Sequence, residues 1–182
     1  SVEGGLAEGE NLLVNGTFRT GRLAFPEFWS PSSADNVTYR PAGGPEGRKA
    51  SIVLTGDGAL SGTVSARQQG MTLVSGERYK LSAYIKTKGL KSRYAGLVVH
   101  NSGWVKATGF TNLPADSDWI FYEKSFALMP SKNSEYGVAM FAVELTGEIH
   151  FADLKLEAVT EKARKGSSSQ KSIVAAARLV PF

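Results

Sequence analysis

Apolar residues recur along this chain at alternate positions or in short runs, closed off at brief intervals by Gly, Pro, Asn or Ser. Period two with frequent turn residues predicts strands, and almost no segment keeps helical spacing. The clearest strand is RYKLSAYIKTKG, residues 78–89. There Tyr79, Leu81, Ala83 and Ile85 share one face, while Lys80, Ser82, Tyr84 and Lys86 share the other. KASIVLTG at 49–56, the first part of GTVSARQQGMTLVSG at 62–76, RYAGLVVHNSG at 93–103 and WIFYEKSFAL at 119–128 read the same way. YGVAMFAVEL at 136–145 and EIHFADLKLEAV at 148–159 follow, joined through Thr146-Gly147. Roughly eight to ten such strands predict an all-β antiparallel β-sandwich of jelly-roll type.

The opening NLLVNGTFRTG, residues 11–21, predicts a short strand at Leu12, Leu13 and Val14, a turn at Asn15-Gly16, and a return to the core at Phe18. Residues 1–9 read as a flexible N-terminus and 10–159 as the sandwich domain. Residues 160–172 read as a linker, because EKARKGSSSQKS at 161–172 is charged and then Ser-rich and has too little apolar surface to fold. Apolar character resumes in IVAAARLVPF at 173–182, either the start of a following domain or a tail docked on the sandwich.

Composition narrows the chemistry. A chain of 182 residues suits one domain with some tail. Cysteine is absent, which removes disulfides, thiolate zinc sites and a cysteine nucleophile. The net charge of +4 is small and its basic residues are scattered, so nucleic acid is not an expected partner. No window approaches the roughly 20 apolar residues of a membrane helix, so no membrane partner is expected either. The start SVEGGLAEGEN has neither a basic nor an apolar leader region, as a processed exported chain would.

Six stretches in order, NLLVNGTFRTG, FPEFWSP, GRKASIVLTG, LVSGERYKLSAYIKT, DWIFYEKSFAL and IHFADLKLE, resemble carbohydrate-binding modules of the 4/9/22 type, which have a galactose-binding-like jelly roll. The resemblance spans about residues 10–159 and implies a non-catalytic module that binds a poly- or oligosaccharide. It further implies attachment to a secreted glycoside hydrolase, with a catalytic or other domain of the same parent protein as partner and an extracellular or periplasmic location. The alternative is a structural β-sandwich accessory domain that packs on a neighbouring domain and holds no sugar. By the same resemblance Trp29 and Trp119 occupy structural, core positions.

The family's closing-strand Asp, matched by Asp153, helps hold a structural calcium together with a Glu where this chain has Arg19. A guanidinium there would repel a cation and pair with Asp153 instead, so the expectation is no cofactor, with calcium on remaining backbone oxygens as the lesser alternative.

A sugar site needs exposed rings for the C–H faces and polar groups for the hydroxyl rim. Tyr84 stands on the polar face of its strand, and Tyr94 and His100 lie opposite the core row Ala95, Leu97 and Val99. In 136–145 both rows are apolar; taking Phe141 and Val143 as core puts Tyr136, Met140 and Glu144 outside. Trp104 sits in the turn-rich HNSGWVKATG, with His100 and Asn101 beside it as rim hydrogen-bonding groups. The ligand-binding candidates are therefore Tyr84, Tyr94, His100, Asn101, Trp104, Tyr136 and Glu144. No catalytic residues are expected. Glu144 and Glu148 form the nearest carboxylate pair, and charges flanking a hairpin are ordinarily solubility groups.

Overall fold

Period-two alternation builds two sheets whose apolar rows face each other. The computed structural model describes residues 10–21, 23–59 and 62–159. Its strands are β1 (Ser30–Pro31), β2 (Val37–Arg40), β3 (Ser51–Asp57), β4 (Thr63–Thr72), β5 (Arg78–Lys91), β6 (Tyr94–Asn101), β7 (Lys106–Phe110), β8 (Ser117–Ala127), β9 (Glu135–Val143) and β10 (Thr146–Ala158). One five-stranded sheet has the order β1-β4-β9-β6-β7 and the other β2-β3-β10-β5-β8, every pairing antiparallel. The result is a jelly-roll β-sandwich.

The core lies between the sheets. Ile52 and Leu54 of β3, Leu81, Ala83 and Ile85 of β5, Leu97 and Val99 of β6, and Ile149, Phe151, Leu154 and Leu156 of β10 are fully enclosed there. Phe18 is buried as expected and meets Trp29 edge-on with ring centroids 5.5 Å apart. Such a pair adds about 0.5–1.5 kcal/mol beyond the area it buries.

The opening stretch does not form the strand that its apolar triplet predicts. Residues 12–17 are bends and turns, tied down by two asparagine side chains. Asn11 donates from Nδ2 to the Leu154 carbonyl and accepts from the Leu13 and Leu156 amides on Oδ1, standing in for backbone beside the bulge in β10. Asn15, in the left-handed region at φ 55, donates to the carbonyls of Arg19 and Glu27 and accepts from the Arg19 amide, while its own carbonyl accepts from Trp29 Nε1. On the other side, Gln68 of β4 accepts from the Val14 amide and donates to its carbonyl. Side-chain amides do here what a ladder would otherwise do.

Two further expectations are corrected. Trp119 is half-buried on the outer face of the β2–β8 sheet, edge-on to His150 at 6.1 Å, and is not a core residue. In β9 the core row is Tyr136, Val138, Met140 and Ala142, so Phe141 and Val143 face outward. The expected linker at 160–172, the flexible segment 1–9 and the stretch 173–182 lie outside the described residues.

Candidate functional site

The outer face of the β1–β7 sheet is hollow. Three strands supply its floor through their outward rows, Thr63, Ser65 and Arg67 of β4, Ala139, Phe141 and Val143 of β9, and Tyr94, Val98 and His100 of β6. Ser32, Trp104 and Lys106 complete a cleft of about 550 Å³, within the range typical of small-molecule sites.

Two glycines let the floor pack closely. Gly137 pairs with His100 across β9 and β6, and a Cβ there would come within 3.1 Å of the imidazole ring and 2.8 Å of the Gln68 carbonyl oxygen. Gly96 pairs with Phe141 at φ 149, where a Cβ would strike the Phe110 carbonyl oxygen.

The register sets an aromatic at each end. Tyr94 opposes Val143 and packs on Phe141 with centroids 5.0 Å apart, and it remains 45% exposed. Six residues on along β6 comes His100, about 20 Å away at roughly 3.3 Å per residue. Its ring lies flat against Trp104, with centroids 4.2 Å apart and planes 12° from parallel. His100 is 3% exposed while Trp104, which covers it, is 54% exposed.

Asn101 shapes the loop that carries this indole. Its Oδ1 accepts from the amides of Gly103 and Val105, and its carbonyl oxygen accepts from the Trp104 amide and from His100 Nδ1. Trp104 thereby sits at φ 64, a backbone region costly for a large L residue. A carbonyl oxygen can only accept, so Nδ1 carries the imidazole proton. Burial holds the His100 pKa below its ordinary value, opposed by the bond to Asn101 and reinforced by the Arg67 charge. In the neutral ring Nε2 is a bare acceptor, and it is buried without a hydrogen-bond partner. Arg67, on β4 opposite Ala139, places its guanidinium carbon 5.2 Å from the centre of the Trp104 ring, in cation–π range.

Of the residues singled out from sequence, Tyr94, His100 and Trp104 are brought together in this cleft. Asn101 adjoins it, but its side chain is spent on the loop. Tyr136 does not line it: at 4% exposure it is part of the core, because its row of β9 faces inward. Glu144 is not among the lining residues either; it sits at φ 56 in the β9–β10 turn, 3.8 Å from Arg93. Tyr84 points outward as its strand parity predicts, but from the opposite sheet, packed on Phe121 at 5.0 Å with Lys49 over its ring. Arg67, Phe141 and Lys106 escaped the sequence reading.

Asp153 has a partner other than the expected one. It occupies the bulge of β10 at φ 52, and its carboxylate is bound by the Lys49 ammonium, whereas exposed Arg19 makes no ion pair with it. Among the described residues, no group of three or more His, Asp or Glu side chains is placed to hold a metal ion. Glu148, the other member of the carboxylate pair, lies on the opposite sheet against Arg40 and His150.

No protein-family model matches the sequence, and no curated protein matches it. Solved structures do. The CBM22-1 xylan-binding domain of Paenibacillus barcinonensis Xyn10C superposes with a TM-score of 0.54 at 13% identity, over 86% of this chain and 99% of that one. The second N-terminal cellulose-binding domain of Cellulomonas fimi β-1,4-glucanase C does so with 0.54 at 16% identity, over 84% and 97%. The fold is that of a carbohydrate-binding module of the 4/9/22 jelly-roll type. Larger proteins contain it too: the arabinose-bound α-L-arabinofuranosidase MgGH51 matches with a TM-score of 0.60 at 19% identity, over 87% of this chain. This chain spans 28% of that enzyme's length and 21% of that of a bacteriophage CBA120 tailspike protein 4 domain. The cleft lies on the outer face of one sheet, and Tyr84 lies on the other.

Proposed function

We propose that the protein is a non-catalytic module that binds a poly- or oligosaccharide in the cleft across the β1–β7 sheet. The observation that carries this is an open cleft with exposed rings, Tyr94 and Trp104, at its two ends and hydroxyl and cationic groups along its sides. Rings suit the C–H faces of pyranoses, and the spacing of about 20 Å along β6 leaves room for several sugar units. The jelly-roll neighbours support the reading: one is a xylan-binding domain, and another, TmCBM61, is in complex with β-1,4-galactotriose. Among the described residues no carboxylate lines the cleft, so the paired acids of a glycosidase are not there.

Attachment to a secreted glycoside hydrolase is the accompanying proposal. It is supported by a Clostridium thermocellum xylanase 10B structure in which a CBM22-1 and a GH10 module share one chain. Tethering an enzyme through such a module raises its effective concentration on the polymer.

Affinity electrophoresis through gels holding soluble polysaccharides tests the binding. Retardation of the wild type by at least one polymer, weakened in Tyr94→Ala and Trp104→Ala but kept in Tyr84→Ala, is the expected pattern. Unretarded migration in every gel would leave the structural accessory domain as the better reading.

A further inference from the structure

Resting on that reading of the cleft, we infer that its ligand is an acidic polysaccharide whose sugar rings carry carboxylates. The strongly hydrogen-bonding side chains of the cleft are Arg67 on β4 and Lys106 on β7. Both are cations that only donate, with five N–H groups on the guanidinium and three on the ammonium. No Asp, Glu, Asn or Gln lines the cleft among the described residues, so its charged groups are all donors and no lining carboxylate would repel an anion. The remaining polar lining is hydroxyls, Ser32, Thr63, Ser65 and Tyr94, and the neutral His100.

On the opposite sheet Lys80 is tied to Glu123 and Glu157, and Arg40 to Glu148. No acidic side chain pairs with Arg67 or Lys106 among the described residues. Arg67 is instead held over the indole. A guanidinium kept in place this way has its planar fork preorganised for a carboxylate, which it can grip through two parallel hydrogen bonds. Lys106 pairs with His100 across β7 and β6, so both charges flank the Trp104 end of the cleft. A ligand ring stacked at that end would carry its carboxylate between them.

The test compares polygalacturonate, alginate and glucuronoxylan with their carboxyl-reduced forms, in which each carboxylate has become a primary alcohol. Unsubstituted xylan, mixed-linkage β-glucan and single-stranded DNA complete the panel, measured by affinity electrophoresis and calorimetry at low and high salt. The proteins are the wild type, Arg67→Gln, Arg67→Lys and Lys106→Gln, each checked for folding by circular dichroism. At least one acidic polymer binds the wild type roughly ten-fold or more tightly than its reduced form, the gain expected of a charge-assisted hydrogen bond. Added salt shrinks that margin, Arg67→Gln removes most of it, and Arg67→Lys keeps part. Should Arg67→Gln not fold, Arg67→Lys and Lys106→Gln carry the comparison.

Equal binding of reduced or neutral polymers, untouched by Arg67→Gln, overturns the acidic ligand and leaves glycan binding standing. DNA binding as tight as that of the polyuronates overturns it as unselective attraction to polyanions. Binding to no polysaccharide at all overturns both the inference and the function beneath it.

Discussion

Trp104→Gly reports on folding and on binding together. The indole stands at φ 64, where a side-chain-bearing residue costs about 1–2 kcal/mol that glycine does not. Against that relief stand about 1 kcal/mol of glycine's extra backbone entropy and about 0.5–1.5 kcal/mol of lost stacking on His100. With 54% of the residue exposed, roughly 115 Å² of an indole side chain of about 250 Å² is also buried, about 3 kcal/mol at about 25 cal/mol per Å². The net loss is about 3 kcal/mol, a Tm fall of roughly 6–12 °C for a domain of this size.

Binding loses the exposed part of the same ring. With 54% of Trp104 exposed and roughly 250 Å² for a whole indole side chain, about 130 Å² is open to a ligand. That area already excludes the face covered by His100, and a sugar reaching half of it gains about 1.6 kcal/mol at about 25 cal/mol per Å², a little over ten-fold in Kd. Calorimetric titration with a polysaccharide that the wild type binds, run beside a thermal melt, reads both quantities. Undiminished affinity would refute the platform role. A Tm equal to that of the wild type would contradict the packing of the indole on His100.

Tyr136→Ala truncates the core, with a loss of about 3–5 kcal/mol and a correspondingly large fall in Tm; a melt within a degree or two of wild type would contradict its enclosure. Stability should decline as pH drops below about 6.5. Burial depresses the pKa of both His100 and His150, the latter opposed by Glu148 and aided by Arg40 and Lys86. Below the ordinary value of 6.5 the unfolded chain therefore binds protons that the folded chain refuses, a penalty absent above it. Melts between pH 5 and 8 should show a shallower decline in His100→Gln/His150→Gln, and an identical one would refute the assignment. Because the Lys49 ammonium sits on the Asp153 carboxylate, neither EDTA nor added Ca²⁺ should move the wild-type Tm. Lys49→Gln should cost about 1 kcal/mol or less, the pair being partly exposed; a calcium-dependent rise in Tm would refute the substitution of lysine for metal.

The sandwich was legible where a strand alternates apolar and polar residues. In β5 the size and polarity of alternate residues name the inner row outright, and the observed core is that row. Residues 11–17 misled because an apolar triplet is equally compatible with a strand and with a turn anchored by side chains. Asn11 and Asn15 carry the hydrogen bonds that decide between them, with partners at Leu154, Leu156 and Glu27. Nothing in the local sequence announces contacts with residues so far along the chain.

The site was harder for a related reason. Both rows of β9 count as apolar, so polarity cannot choose between them, whereas volume can. Tyr136, Val138 and Met140 are large enough to fill a core, while Gly137 and Ala139 can only leave space. Gly137 pairs with His100 and leaves room for its ring beneath Trp104, so the small pair Gly137 and Ala139 in one row of the strand is the signal that was missed. Arg67 has no equivalent signal. Thr63, Ser65 and Arg67 read as an ordinary solvent row until the order β4-β9-β6-β7 sets Arg67 across from Ala139, two strands from the Trp104 loop. The short side chain of Ala139 lets the guanidinium reach over β9 to the indole. A Leu or Phe at that position would separate the cation from the ring with no change in either, so Ala139 couples the charge of the cleft to its aromatic end.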